Sequence, residues 1–157
     1  MRFSHFLSAA LAIYFISANH AASIYAQDST SIKGCDLQFN VFYWKFITLQ
    51  KNILDFKEQG RPLNTTESEH VLSTLSELDA QMINTQKECC SSENSFDPDA
   101  LVMFKAFTLN MANTTVDMKD SFEHEIPLSN EEQTKVVVGD LGELHTNLTD
   151  LNDRCFV

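Results

Sequence analysis

The sequence contains few turn-forming residues and few basic residues. Its 157 residues include only four Gly and three Pro, which argues against a turn-rich, all-β architecture. Lys and Arg number 11 against 22 Asp and Glu, a formal net charge of −11. This charge disfavours nucleic acids and anionic membrane surfaces as partners, because both attract basic proteins. The chain is 43% hydrophobic, with 12 Phe, so it is able to fill the core of one domain.

Long apolar runs are also missing, apart from one short run near the N-terminus. Residues 6–16 form an apolar run of 11 residues after Arg2, whereas a membrane-spanning helix requires roughly 20. Small residues suited to cleavage follow at Ala18 and Ala26. This order is typical of a secretory signal peptide. It predicts a signal peptide over residues 1–26, a secreted, extracellular domain over residues 27–157, and no membrane insertion of the mature protein.

The cysteines and the glycosylation sequons agree with export. Three sequons for N-glycosylation occur, and their acceptors are Asn64, Asn113 and Asn147. Four cysteines, an even number, fit two disulfides in an oxidising compartment. Adjacent cysteines are too constrained to bond comfortably to each other, so we expect one of Cys89 and Cys90 to pair with Cys35 and the other with Cys155. Three connectivities are possible for four cysteines, and the sequence does not choose among them.

Apolar residues recur at steps of three and four, which predicts four amphipathic helices. The first runs from about Cys35 to Gln59 and ends at Gly60-Arg61-Pro62, because Pro cannot continue a helix. The other three starts are predicted from capping residues: Thr66 with Glu69, Asp97 with Pro98, and Ser129 with Glu132. The predicted core stripes are Phe39, Phe42, Phe46, Leu49, Ile53 and Phe56; Leu72, Leu75, Leu78 and Met82; Leu101, Phe104, Phe107 and Met111; and Val137, Leu141, Leu144, Leu148 and Leu151.

Motifs for catalysis are missing from the sequence. It has no G-x-S-x-G, no phosphate-binding glycine loop, no H-E-x-x-H and no C-x-x-C. Glu123-His124-Glu125 is interpreted as a solvated charged turn rather than a metal site, and His70 and His145 as surface or core-edge residues. We therefore expect no enzyme activity, no metal and no cofactor.

An aromatic cluster in the first helix leaves an alternative open. Its members are Phe39, Phe42, Tyr43, Trp44 and Phe46. Such residues usually form core, but they are also able to line an apolar pocket. The alternative functions are therefore a secreted helical-bundle carrier of a lipid or small apolar ligand, or an unrelated secreted effector.

The two ends of the predicted domain resemble a cytokine family. The first helix opens with Cys35-x-Leu37, then Phe42 and Phe46-Ile47-Thr48; the last contains Gly142-Glu143-Leu144, then Leu148, Leu151 and Cys155. Together with the adjacent Cys89-Cys90 and the sequon Asn64-Thr65-Thr66, these segments resemble the interleukin-10 family of helical class II cytokines. The similarity is greatest to the interleukin-22 branch.

The resemblance implies a four-helical, cytokine-like bundle that binds and pairs cell-surface class II cytokine receptor chains and triggers kinase and transcription-factor signalling in an immune response. It implies a bond from Cys89 or Cys90 to Cys155, with Cys35 bonded to the other. It also implies a short second helix and long crossovers, whereas short loops alone predict a plain up-down-up-down bundle. The implied receptor-binding residues are Lys57, Arg61, Asn64 and Thr65, with Glu131, Lys135 and Glu143 on the last helix.

Overall fold

The computed structural model describes residues 32–91 and 96–156. These residues form four α-helices: α1 (Ile32–Gln59), α2 (Thr65–Cys89), α3 (Pro98–His124) and α4 (Glu131–Cys155). The prediction of an all-α, disulfide-stapled bundle is confirmed. The predicted signal peptide lies outside the described residues. Among the described helices, none has the length and apolar character needed to cross a bilayer.

The core follows the predicted stripes closely. All five predicted residues of α4 are buried, as are five of the six in α1. The predicted residues that are only half-buried pack against the core from its edge, and these are Phe56, Leu72, Leu101 and Phe107. The periodicity of apolar residues therefore identified the inward face of each helix.

Two of the predicted helix starts are wrong by one or two residues. Helix α2 is capped by Asn64, whose side chain accepts a hydrogen bond from the backbone of Glu67 while the Glu67 side chain accepts one from the backbone of Asn64. This capping box replaces the predicted one at Thr66 and Glu69. Helix α4 is capped by Asn130, not Ser129. The cap at Asp97 with Pro98 in the first turn is confirmed.

The four helices run up, down, up and down around the core. Helix α1 packs beside α2 and α3, and α4 also packs beside α2 and α3, so the helices form a ring in which α2 and α3 occupy diagonal positions. Helix α2 has 25 residues, as many as α4. The expectation of a short second helix and long crossovers is therefore wrong. The bundle consists of two helical hairpins laid against each other, with α2 parallel to its neighbour α4.

Two disulfides lie at the end of the bundle that is opposite the two hairpin turns. Cys35 bonds to Cys89, which joins the start of α1 to the end of α2. Cys90 bonds to Cys155, which joins the end of α2 to the end of α4. The expected scheme, with one member of the adjacent pair bonded to each distant cysteine, is confirmed. The two closed loops follow each other along the chain, and each encloses one hairpin.

Phenylalanine rings fill the core beneath these disulfides. The ring of Phe104 lies 4.8 Å from that of Phe39 and stacks on that of Phe156 at 5.1 Å between centroids. Phe96 contacts both Phe104 and Phe156, at 5.7 and 5.6 Å. The aromatic side chains at this end of the core therefore contact one another.

Candidate binding surface

Six of the seven implied receptor-binding residues lie near one end of the bundle. We call this the connection end, because it contains the turn between α1 and α2 (residues 60–64) and the turn between α3 and α4 (residues 125–130). Lys57, Arg61, Asn64 and Thr65 belong to or flank the first turn, and Glu131 and Lys135 follow the second. The fold therefore brings together two segments that are about 70 residues apart in the sequence.

Buried anchors join the two turns into one surface. Leu63 from the first turn and Ile126 and Leu128 from the second are buried in the core. The backbone N–H of Leu63 donates to the carbonyl oxygen of Pro127 at 2.9 Å. A buried leucine beside a paired backbone group holds each turn in a defined position. The side chains that these turns present to solvent are therefore held on a rigid base.

The first turn is also organised by charge. The guanidinium of Arg61 donates to both carboxylate oxygens of Glu67, at 2.9 and 2.6 Å. The hydrogen bonds from Arg61 lower the pKa of Glu67 to about 2, and a further bond from the backbone of Asn64 contributes. Gly60, which follows α1, has φ of +60°, a conformation that glycine adopts without strain. Arg61 is thus fixed in the first turn by a bidentate pair and a compatible backbone.

Two further ion pairs lie at the connection end. Lys57 at the end of α1 pairs with Glu125 at the end of α3, and this hydrogen bond lowers the pKa of Glu125. Lys135 and Glu131 pair at 2.8 Å within the first turns of α4, where both side chains are largely exposed. The connection end therefore presents charged side chains of both signs, paired with one another.

Glu143 lies apart from the other six residues. It is twelve residues beyond Glu131 on α4, a rise of about 18 Å, and it faces the seam between α2 and α4. There it borders a shallow, open groove of about 350 Å³, lined by Gly139, Gly142, Glu143, Thr146 and Asn147. The structure does not bring Glu143 together with the connection end.

The same seam carries a cluster of carboxylates. Burial, and then the negative charges of Asp140 and Glu143, raise the pKa of Asp79 to about 6. Burial, and then the charge of Glu143, raise the pKa of Asp140. Periodicity within one helix gave no sign of this cluster, because Asp79 on α2 precedes Asp140 on α4 by 61 residues in the sequence.

The charged turn at the end of α3 brings three metal-ligand side chains close together. Ligand atoms of Asp120, Glu123 and His124 lie within 4.8 Å of one another, and all three residues are exposed. Asp120 and His124 approach to 3.5 Å, and Lys119 and Glu123 to 3.9 Å. Exposed acidic groups commonly cluster without a metal, and the interpretation of a solvated charged turn stays a prediction.

The two singled-out histidines occupy the edges of helix interfaces. The Nδ1 atom of His145 on α4 lies 2.9 Å from the carbonyl oxygen of Ala112 on α3. The Nε2 atom of exposed His70 on α2 lies 3.4 Å from the side-chain nitrogen of Asn52 on α1. Both positions agree with the expectation of surface or core-edge residues.

The three sequons occupy different environments. Asn64 is exposed at the connection end and caps α2 through Oδ1. Asn113 is exposed in the middle of α3. Asn147 is half-buried beside the α2–α4 seam, where its carbonyl oxygen accepts a bond from Gln86 at 3.5 Å.

One exposed apolar group on α1 was not recognised from the sequence as surface. Leu37, Val41 and Trp44 lie on the outward face of α1, and Trp44 is 51% exposed. Trp44 therefore lies outside the core, where its ring is 6.2 Å from that of Tyr43, whereas Phe39, Phe42 and Phe46 of the same predicted cluster are buried. Its position half a turn from the core stripe is the signal that identifies it as surface.

Comparison with protein-family models, with curated proteins and with solved structures finds no match to this chain.

Proposed function

We propose that this protein is a secreted ligand that binds and pairs cell-surface class II cytokine receptor chains, as the resemblance to interleukin-10-type cytokines implies. The observation that carries this proposal is the connection end, where two distant turns share buried anchors and support an ion-paired surface. Lys57, Arg61 and Lys135 contribute its cations, each beside a carboxylate partner. Charge patterns of this kind favour binding one partner over others and accelerate its association.

Export from the cell is part of the proposal. Two disulfides join all four cysteines, and such bonds persist in oxidising compartments such as the extracellular space. The N-terminal apolar run and the three sequons support the same compartment.

The connectivity of the helices differs from that of up-up-down-down cytokine bundles, which contain long crossover connections. Here the turn between α1 and α2 spans only residues 60–64. The proposal therefore depends on the surface of the connection end and not on an identity of chain path.

The test is binding of the secreted, glycosylated protein to soluble ectodomains of class II cytokine receptors from the same species. Lys135→Glu should weaken binding about tenfold, a loss of about 1.4 kcal/mol. Arg154→Glu is the matched control, because Arg154 pairs with Asp150 at i and i+4 on the same helix, but at the disulfide end. The two basic side chains are 74% and 76% exposed, so their folding costs should be similar.

Two results would refute the proposal: no binding to any receptor chain by protein with correct disulfides, or equal losses for the two variants. A carrier function would then gain support if the purified protein carried extracted lipid. Against that alternative, the rings of Phe39, Phe96, Phe104 and Phe156 already contact one another in the core, so a ligand there would have to separate them.

A further inference from the structure

Helix α3 exposes an apolar stripe on its outward face. We call Val102, Leu109 and Val116 the α3 stripe; these side chains are 68%, 56% and 50% exposed. They are spaced by seven residues, which places them along one side of the helix. Consecutive members lie about 10.5 Å apart along the helix, and exposed apolar side chains gathered on one face of a soluble protein mark a surface that another group is able to cover.

A glycosylation sequon lies within this stripe. Asn113 is exposed and follows Leu109 by four residues and precedes Val116 by three, the spacings at which side chains on a helix are neighbours. An N-linked glycan is bulky and solubilising. A glycan attached to the side-chain amide nitrogen of Asn113 would place its first sugars between Leu109 and Val116.

We propose that the secreted protein carries an N-linked glycan on Asn113 and that this glycan lies over the α3 stripe and shields Leu109 and Val116 from solvent. The proposal rests on export of the chain, as proposed above, but not on receptor binding. The other acceptors do not share this setting. Asn64 adjoins exposed Thr65 and Thr66, and Asn147 borders the carboxylate-containing α2–α4 seam.

The folded helix also determines when Asn113 is modified. Thr115, the hydroxyl residue of its sequon, is fully buried, and its Oγ1 donates to the carbonyl oxygen of Ala112 at 2.6 Å. A glycosylating enzyme that has to bind this threonine therefore cannot reach it once α3 has packed against the core. Glycosylation of Asn113 accordingly precedes folding of the bundle, whereas Thr66 of the Asn64 sequon stays exposed.

The experiment compares two single-site proteins secreted from eukaryotic cells. Thr66→Ala with Asn147→Gln removes the other two sequons without removing the Asn64 cap and leaves Asn113 as the acceptor, and Asn113→Gln with Asn147→Gln leaves Asn64. Mass spectrometry of glycopeptides measures occupancy. The glycan is then removed enzymatically from each folded protein, which converts the acceptor to Asp in both, and binding of a hydrophobic dye and self-association are measured before and after.

We expect Asn113 to be occupied and its deglycosylation to raise dye binding and reduce the monomer fraction, with little change for the Asn64 protein. Adding Leu109→Ser and Val116→Ser to the Asn113 protein should abolish the rise. A glycan on Asn64 but none on Asn113, or no rise in dye binding on deglycosylation, would overturn this inference but not the proposed export. A chain that is not exported and carries no glycan at any sequon would overturn it together with the proposed export. Because the glycan is removed after folding, a folding defect in Asn113→Gln cannot obscure the result.

Discussion

From the carboxylates at the α2–α4 seam, we predict that lowering the pH raises the free energy of unfolding over a defined pH range. Asp79 on α2 faces Asp140 and Glu143 on α4, and its pKa is raised to about 6 by burial and then by these two charges. The folded state therefore takes up a proton near pH 6, whereas the unfolded chain does so near the ordinary pKa of about 4. Between these values the folded state binds more protons, so the free energy of unfolding rises as the pH falls.

The magnitude follows from the shift. A rise in pKa from 3.8 to about 6 corresponds to about 3 kcal/mol at 1.36 kcal/mol per unit. Asp79 is only half-buried, and solvent screening reduces this value by about half, to about 1.5 kcal/mol. The gain accumulates between the folded-state pKa of about 6 and the unfolded-state pKa of about 4, so roughly half of it appears between pH 7 and pH 5. Glu67, whose pKa is lowered to about 2, stays ionised over this range and loses its contribution only in stronger acid.

Urea unfolding at pH 7 and pH 5 tests this reasoning with Asp79→Asn. The variant should be more stable than the wild type at pH 7 by about 1 kcal/mol, because it removes a charge that burial and two carboxylates oppose. The variant should also lose most of the rise in the free energy of unfolding that the wild type shows between pH 7 and pH 5. Because both proteins contain the same histidines, the comparison cancels the contribution of these residues. Asp117→Asn, on the exposed side of α3, should leave the gain intact. A variant that is no more stable than the wild type at pH 7, or that keeps the full gain, would refute the reasoning.

Two further predictions concern the α2 cap and the disulfides. In protein produced without glycans, Asn64→Ala should destabilise the fold by about 1 kcal/mol, while Thr66→Ala, which removes the same sequon but not the cap, should cost less; equal losses in thermal unfolding would contradict the capping box. Replacing both Cys90 and Cys155 by Ser should cost about 4 kcal/mol, because the bond closes a loop with a separation of 65 residues. Far-UV circular dichroism of the native variant should keep its helical signal, and an unchanged urea midpoint would contradict the prediction.

The helices were largely predictable because their signals are local. Phe39, Phe42 and Phe46 recur at the helical period and are all buried, and Asp97-Pro98 marks the start of α3. Capping was less certain, since Asn64 with Glu67 and Thr66 with Glu69 both satisfy the same pattern. The first pair prevails in the structure, where Arg61 holds Glu67 and Leu63 is buried beside the cap.

The candidate site was predictable only in part. The sequence identified six residues that share the connection end, but only through a family resemblance. The separation of Glu143 from Glu131 follows from twelve residues of helical rise along α4 and was predictable from the sequence, whereas the approach of Glu143 to Asp79 on α2 was not. The stacked pair of Phe104 and Phe156 was missed for a similar reason, because Phe156 follows the last helix and belongs to no periodic stripe.

By itself, the sequence determined that this chain forms four amphipathic helices and which residues face inward, and it favoured, among three possible connectivities, the bonding of the adjacent cysteines to the two distant ones. Those properties depend on the helical period, on caps and on the constraint between neighbouring cysteines. Only the tertiary structure decided that α2 lies beside α4, that Cys89 bonds to Cys35, and that Asp79 meets Asp140. The physical reason is that a helical period specifies which face of a helix is buried, but not which helix covers it.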